Sequence, residues 1–347
     1  MKPYIFSIFA AFIAAGFAQA SVTATTTPVG YTTTTIYSNY GVGAPKTSVI
    51  GTSLVNPTEW AGTIASKSGD TLTLTSAALT SGAFNELSSS PEVFAYYIIT
   101  PTGGYWAHIV SNTATSVTVQ TGYGASFTVG ESVVIRRHLT ITDVFGNNSP
   151  GLLSDTVGDL TTADNIILID EVNSANVTIF PTNVLGGTWS TDGFADAANY
   201  PIYPDMGIQV SRLGTGDLSL VHSGTVNTIG NQLTVHANTN LRPNAIPVST
   251  TLTALNLYTG NVATGVASSD SGDITQADTV SVIVNGSSSN YFYSTVDLGS
   301  GPGWYDDGFA FAGTTPLPAG AGLIINRTNP TNSSPFVWVA PGATVAP

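Results

Sequence analysis

Thr71-Leu72-Thr73-Leu74-Thr75 alternates polar and apolar side chains without a break, and short runs of the same period recur along the chain. A period of two marks a strand with one buried face, because successive side chains leave opposite sides of the backbone. Tyr31 to Tyr37, Phe94 to Thr100, Tyr105 to Ser111, Val117 to Val119 and Gly130 to Ile135 are further strand candidates, rich in β-branched and aromatic residues. Pro101 to Gly104 supplies a turn between two of them. No segment sustains an apolar period of 3.6 residues. A turn or two of helix is expected only at Ala77 to Leu87, Leu139 to Phe145 and Leu252 to Tyr258. Short strands separated by Gly, Asn, Asp and Pro predict an all-β protein of sandwich or barrel-like units with very little helix.

Part of the pattern occurs twice, from Leu139 to Arg212 and from Leu252 to Arg327. Ala163-Asp164 matches Ala277-Asp278, Trp189 matches Trp304, and Asp192-Gly193-Phe194 matches Asp307-Gly308-Phe309. Gly207 matches Gly322 and Arg212 matches Arg327, with an offset that drifts only from 113 to 115 residues. Such regularity implies tandem duplication of a unit of about 115 residues, too long for a solenoid repeat. His108 to Val119 echoes Gly224 to Val235 upstream of each copy. The expected organisation is a leader at 1–20, an N-terminal β region at 21–104, repeat units at 105–215 and 216–330, and a C-terminal strand and tail at 331–347.

Lys2, the apolar run Tyr4 to Phe17 and the small-residue site Ala18-Gln19-Ala20 have the order of a cleavable signal peptide, so the chain is expected to be exported. The run is too short to span a bilayer, and no later segment is long enough, so no transmembrane segment is expected after cleavage. With 0 Cys, stability must come from burial and strand pairing rather than disulfides. Lys and Arg number 8 against 21 Asp and Glu, a formal charge of −13. An acidic chain repels phosphate backbones, so nucleic acid is excluded as a partner. The expected partners are further copies of itself, cell-envelope or matrix components, and polysaccharide.

Thr27-Pro28-Val29-Gly30-Tyr31, Leu139 to Phe145, the Trp189 and Trp304 segments, and the Pro-x-Gly-x-Gly-Leu-x-x-x-Arg ending at Arg327 together resemble an uncharacterised secreted family expanded in verrucomicrobial bacteria. The first copy departs from that last pattern, with Pro204-Asp205-Met206-Gly207. The resemblance implies export and an all-β build, and brings no activity or catalytic residue with it.

The candidate chemistry is sparse. There is no His-Glu-x-x-His and no Gly-x-Ser-x-Gly, and His108, His138, His222 and His236 have no ligand spacing. Asp192, Asp205, Asp270, Asp273, Asp306 and Asp307 lie near glycines in loops, which raises Ca²⁺, yet no Asp-x-Asp-x-Asp-Gly loop exists. No metal, cofactor or catalytic residue is therefore expected. A sugar platform is conceivable from Trp189 with Asp192 and from Trp304 with Tyr305 and Asp307, the rings stacking and the acids orienting hydroxyls. The competing reading makes each Trp the core of its own copy. Arg212 and Arg327 each close an apolar run, and ion pairs with Asp164 and Asp278 are expected because the guanidinium fork matches a carboxylate. The sequence thus predicts an exported, non-catalytic structural or interaction protein of the cell surface or extracellular matrix. The alternatives are a glycan-binding module using Trp189 and Trp304, and a secreted hydrolase of unknown type.

Overall fold

The structure is a computed structural model describing residues 28–38, 46–173, 175–186, 188–284, 286–327 and 334–343. The expected leader at 1–20 lies outside the described residues. The fold is all-β, and the one α-helix among the described residues is Ile141–Phe145. Thr140 caps it, accepting from Asp143 N while the Asp143 carboxylate accepts from Thr140 N, a reciprocal capping box. Ala77 to Leu87 forms turns rather than a helix, as does Leu252 to Leu257.

Six antiparallel strands close into a barrel in the order Ser116–Val119, Thr71–Leu74, Thr58–Ser68, Ser132–Arg137, Tyr96–Ile99 and Trp106–Asn112. Leu72 and Leu74 point inward at 0% and 3% exposure and join Ile98, Ile109, Val117, Phe127 and Ile135 in its core. Around it lie two five-stranded sheets. One has the order Trp189–Thr191, Ala175–Pro181, Asn165–Asp170, Ile208–Arg212 and Lys46–Ile50. The other runs Gly303–Asp306, Ser287–Ser294, Thr279–Val284, Gly322–Arg327 and Asn238–Pro243, position for position in the same order. Each forms a sandwich with a smaller sheet that adds residues to its core. Val29–Ile36 with Leu218–Val226 completes the first, and Asn231–Val235 with Phe336–Ala340 completes the second.

The boundaries differ from those expected from sequence. Position 104/105 falls in the turn between two barrel strands, and 215/216 cuts Leu218–Val226 from its sandwich, where it pairs with Val29–Ile36. The echo behind those boundaries joins unlike things. Trp106–Asn112 and Ser116–Val119 are a barrel hairpin, whereas Leu218–Val226 and Asn231–Val235 belong to different sandwiches. Alternation specifies a strand with one buried face and is silent on its partner. The barrel is in effect an insertion into the first sandwich, entered after Leu54–Val55 and left at Leu139–Thr140.

The sandwiches meet reciprocally, Ile208–Arg212 against Asn238–Pro243 and Gly322–Arg327 against Lys46–Ile50. Gly207 N donates to Leu241 O at 3.2 Å, and Gly51 N to Gly320 O at 2.9 Å. A side chain at Gly207 would meet Arg242 N at 2.9 Å, and one at Gly322 would meet Ile50 O at the same distance, so both approaches need glycine. The barrel also reaches the second sandwich. Gln232 N donates to Gly104 O at 2.9 Å, its Nε2 to Gly103 O at 3.0 Å, and Trp106 Nε1 to Gln232 O at 3.0 Å.

Candidate functional site

The matched tryptophans are core residues. Trp189 is 0% exposed, donates to Gly146 O at 3.0 Å and packs 5.9 Å from Phe145. Trp304 is 2% exposed, edge-on to Tyr293, and Tyr305 is buried with its hydroxyl on Gly301 O. Asp192 and Asp307 lie exposed on the turns beyond them. Neither indole can offer a face to a sugar ring, which corrects the platform expected from Trp189, Asp192, Trp304, Tyr305 and Asp307. The physical reason is that residues recurring at matched positions fill matched cores.

The arginines lie beside the expected carboxylates. Arg212 Nη1 is 2.9 Å from Asp164 Oδ2, both fully buried, and Asp164 also accepts from Leu153, Leu213 and Gly214 N. Arg327 Nε is 3.4 Å from Asp278 Oδ2, with its guanidinium over the Phe336 ring at 4.7 Å. These groups brace strand ends inside the sandwiches. Of the aspartates considered for Ca²⁺, Asp306 accepts from Gly308 and Ala310 N, and Asp273 from Thr275 N, so each ties its own turn. Among the described residues no group of three or more His, Asp or Glu converges as a metal site.

The site-like feature is a cleft of about 370 Å³ where barrel and both sandwiches meet. The barrel contributes Tyr105, Trp106, His108, Gln120 and Tyr123, the first sandwich Glu171, Val172 and Asp205, and the second Gln232, Thr234, His236 and Val337. Trp106 is set by its bond to Gln232 O, and Gln120 Nε2 lies 3.3 Å from Glu92 Oε2. Beneath the floor is Arg242, 1% exposed, whose Nη2 is 2.6 Å from Glu171 Oε1 and whose Nε donates to Thr234 O at 2.9 Å. His236 Nε2 takes the other Glu171 oxygen at 3.1 Å. The ion pairs therefore tie the first sandwich to the second at the cleft. Asp205 lines the cleft beside them, its backbone carbonyl accepting from Arg242 Nη1 at 3.4 Å. Burial pushes its carboxyl up to about 6; Arg242 opposes the shift, while Glu171 and Asp170 add to it.

A buried pair of histidines forms the back wall. His108 Nδ1 and His138 Nε2 are 3.1 Å apart, with His108 stacked on Phe94 at 4.5 Å and against Tyr203 at 4.3 Å. Burial lowers His108 to about 3, and burial together with His108 holds His138 well below the usual imidazole range, so both rings are neutral near pH 7. A second cavity of about 460 Å³, lined by Leu87, Ala95, Tyr96, Arg137 and His138 among others, opens between barrel and first sandwich. Its one guanidinium, Arg137, is committed to Asp143 at 2.9 Å.

Sequence reasoning missed Glu171, Asp205, His236 and Arg242 as a group. One signal was present, since Pro204-Asp205-Met206-Gly207 is where the first copy breaks the glycine pattern of the second. No protein-family model, curated protein or solved structure matches the chain.

Proposed function

We propose that the protein is an exported, non-catalytic interaction protein of the cell surface or extracellular matrix, built by duplication of one sandwich, and that it binds polysaccharide in the junction cleft. The observation that supports this reading best is the make-up of the cleft. Aromatic side chains (Tyr105, Trp106, Tyr123) face planar polar groups (Gln120, Gln232, Glu171, Asp205), the combination that takes sugar rings by stacking and hydroxyls by hydrogen bonding. Association through bare strand edges is less favoured. The inner edges of the two sheets meet at the Ile50–Ala321 bridge, and the outer ones are blunted by the Ser190–Asp196 and Tyr305–Phe311 bridges. No helix among the described residues is long and apolar enough to cross a membrane.

A secreted hydrolase is the second reading, because Glu171 and Asp205 share the cleft. Against it, both Glu171 oxygens are held by Arg242 and His236, leaving no free carboxylate partner for Asp205. The test is a screen of envelope and matrix polysaccharides against the chain from residue 21, followed by calorimetry on each hit. Tyr123→Ala should weaken binding about tenfold, the loss of one stacked ring. Trp189→Phe should leave affinity unchanged in whatever fraction folds. Equal affinity for Tyr123→Ala would remove the cleft from the account, and release of new reducing ends would replace binding with hydrolysis.

A further inference from the structure

We propose that the ligand of the junction cleft carries a protonated amine beside its hydroxyls, which makes it an amino sugar with a free amino group. The inference rests on the glycan reading of the cleft and adds the charge of the ligand.

Formal charge is the first argument. Glu171 and Asp205 line the cleft from the first sandwich, and Asp170 stands close by, holding Tyr200 Oη at 2.9 Å. The barrel side brings no ionised group, and the second sandwich brings only the imidazole of His236. Arg242 does not correct the balance for a ligand. It is 1% exposed, and its donors go to Glu171 and to the carbonyls of Thr234, Leu241 and Asp205. An anionic sugar would meet carboxylates and no free cation. A neutral sugar would leave Glu171, Asp205 and Asp170 balanced only by Arg242. An ammonium group supplies a further positive charge.

The remaining walls fit the same ligand. Tyr105, Trp106 and Tyr123 present ring systems whose negative faces attract a cation as well as the apolar face of a sugar. His108 provides an independent pointer. The ring is 4% exposed and pinned between Phe94 and Tyr203, and its Nδ1 is taken by His138. That leaves Nε2, on the other side of the ring, as the nitrogen available to the cleft that His108 lines. Because burial keeps this ring neutral, it can meet a hydroxyl without repelling a neighbouring ammonium. The arrangement assigns carboxylate to amine, aromatic face to sugar ring, and neutral imidazole to hydroxyl.

The groups facing Asp205 are Arg242 from the second sandwich, Glu171, Asp170 and Tyr203 from the first, and Tyr123 from the barrel. A cation bound there favours the ionised carboxyl, so binding near pH 6 must release protons. The experiment is calorimetry on the full exported chain at pH 6, in two buffers of different ionisation heat. Three oligomers of equal length serve as probes: glucosamine, N-acetylglucosamine and a uronic acid. Glucosamine should bind at least about tenfold tighter than its acetylated form, weaken on going from about 50 to about 500 mM salt, and release protons. Asp205→Asn should abolish both the preference and the proton release. Tyr123→Ala should weaken every oligomer that binds. Equal or tighter binding of the acetylated oligomer overturns the amine while the glycan reading survives. Binding of the uronate oligomer alone does the same. If no oligomer binds, both readings fall.

Discussion

Removing one partner of the Arg212–Asp164 pair tests whether the strand-end arginines hold the sandwiches together. Asp164 is 0% exposed and accepts from Arg212 Nη1 at 2.9 Å and from Leu153, Leu213 and Gly214 N. Arg212 also donates to Gly216 O at 3.0 Å and to Gly151 O at 3.1 Å. Arg212→Met leaves a buried carboxylate without a counter-charge and two carbonyls without donors, a loss of about 3–5 kcal/mol. Asp164→Asn strands the guanidinium instead and should cost about 3 kcal/mol. The double variant removes both charges, so its loss should fall short of the sum by about 2 kcal/mol. The half-buried Arg137–Asp143 pair, with side chains 36% and 27% accessible, is the control and should couple by no more than about 1 kcal/mol. Urea unfolding followed by fluorescence and circular dichroism measures all of these, using variants whose two transitions coincide. Additivity within about 0.5 kcal/mol at Arg212–Asp164 would show that the pair is not a coupled brace.

Gly104→Ala should open the seam between barrel and second sandwich, because its φ is +69° and a Cβ there would overlap the Gly230 carbonyl; faster limited proteolysis near residues 100–105 checks it. His108 and His138 are neutral when folded, whereas an unfolded imidazole takes a proton near pH 6.5. Stability should therefore fall as pH drops below about 6.5, by up to about 1.4 kcal/mol per pH unit for each ring, and His138→Gln should flatten that slope in urea titrations. Asp205 has the opposite sign. Its folded value of about 6 lies above the unfolded one, so its ionisation destabilises the fold at neutral pH, and the penalty disappears as pH falls below about 4. Asp205→Asn should raise the urea midpoint at pH 7.5 and leave it nearly unchanged at pH 4, and an equal gain at both values would refute a desolvated, ionised Asp205.

What was legible in the sequence is what local chemistry dictates. Thr71 to Thr75 reads as a strand because one face must be buried, and Thr71–Leu74 is one. The matched Arg and Asp read as partners because so few basic residues are present and each closes an apolar run. Strand partnership was hidden, since Thr58–Ser68 pairs with Ser132–Arg137 across most of the barrel sequence and nothing in either run names the other. The split of the first sandwich around the barrel was hidden for the same reason. The tryptophans were ambiguous because an indole suits a core and a sugar platform equally well until its exposure is known.

The cleft residues are the places where the two sandwiches stop matching. Strand pairing sets Ile50 opposite Ile208 and Arg242 opposite Leu323, so the buried guanidinium of one sandwich replaces an aliphatic side chain of the other. Tyr37 N donates to Ser48 Oγ and His236 N to Asn240 Oδ1, which aligns Tyr37 with His236. Asp205 aligns with Gly320, whose φ is +70°. A residue that only packs its own sandwich has the same task in both copies, as Trp189 and Trp304 do. Arg242, His236 and Asp205 have a task in one copy only, and that task begins where the inserted barrel brings Tyr105, Trp106, His108 and Tyr123 against them. Buried ionic groups stabilise a fold weakly and are often matched or exceeded by apolar packing such as Ile50 provides. Arg242 and Asp205 on one side alone therefore add little to folding, and the proposed ligand would give them a task there.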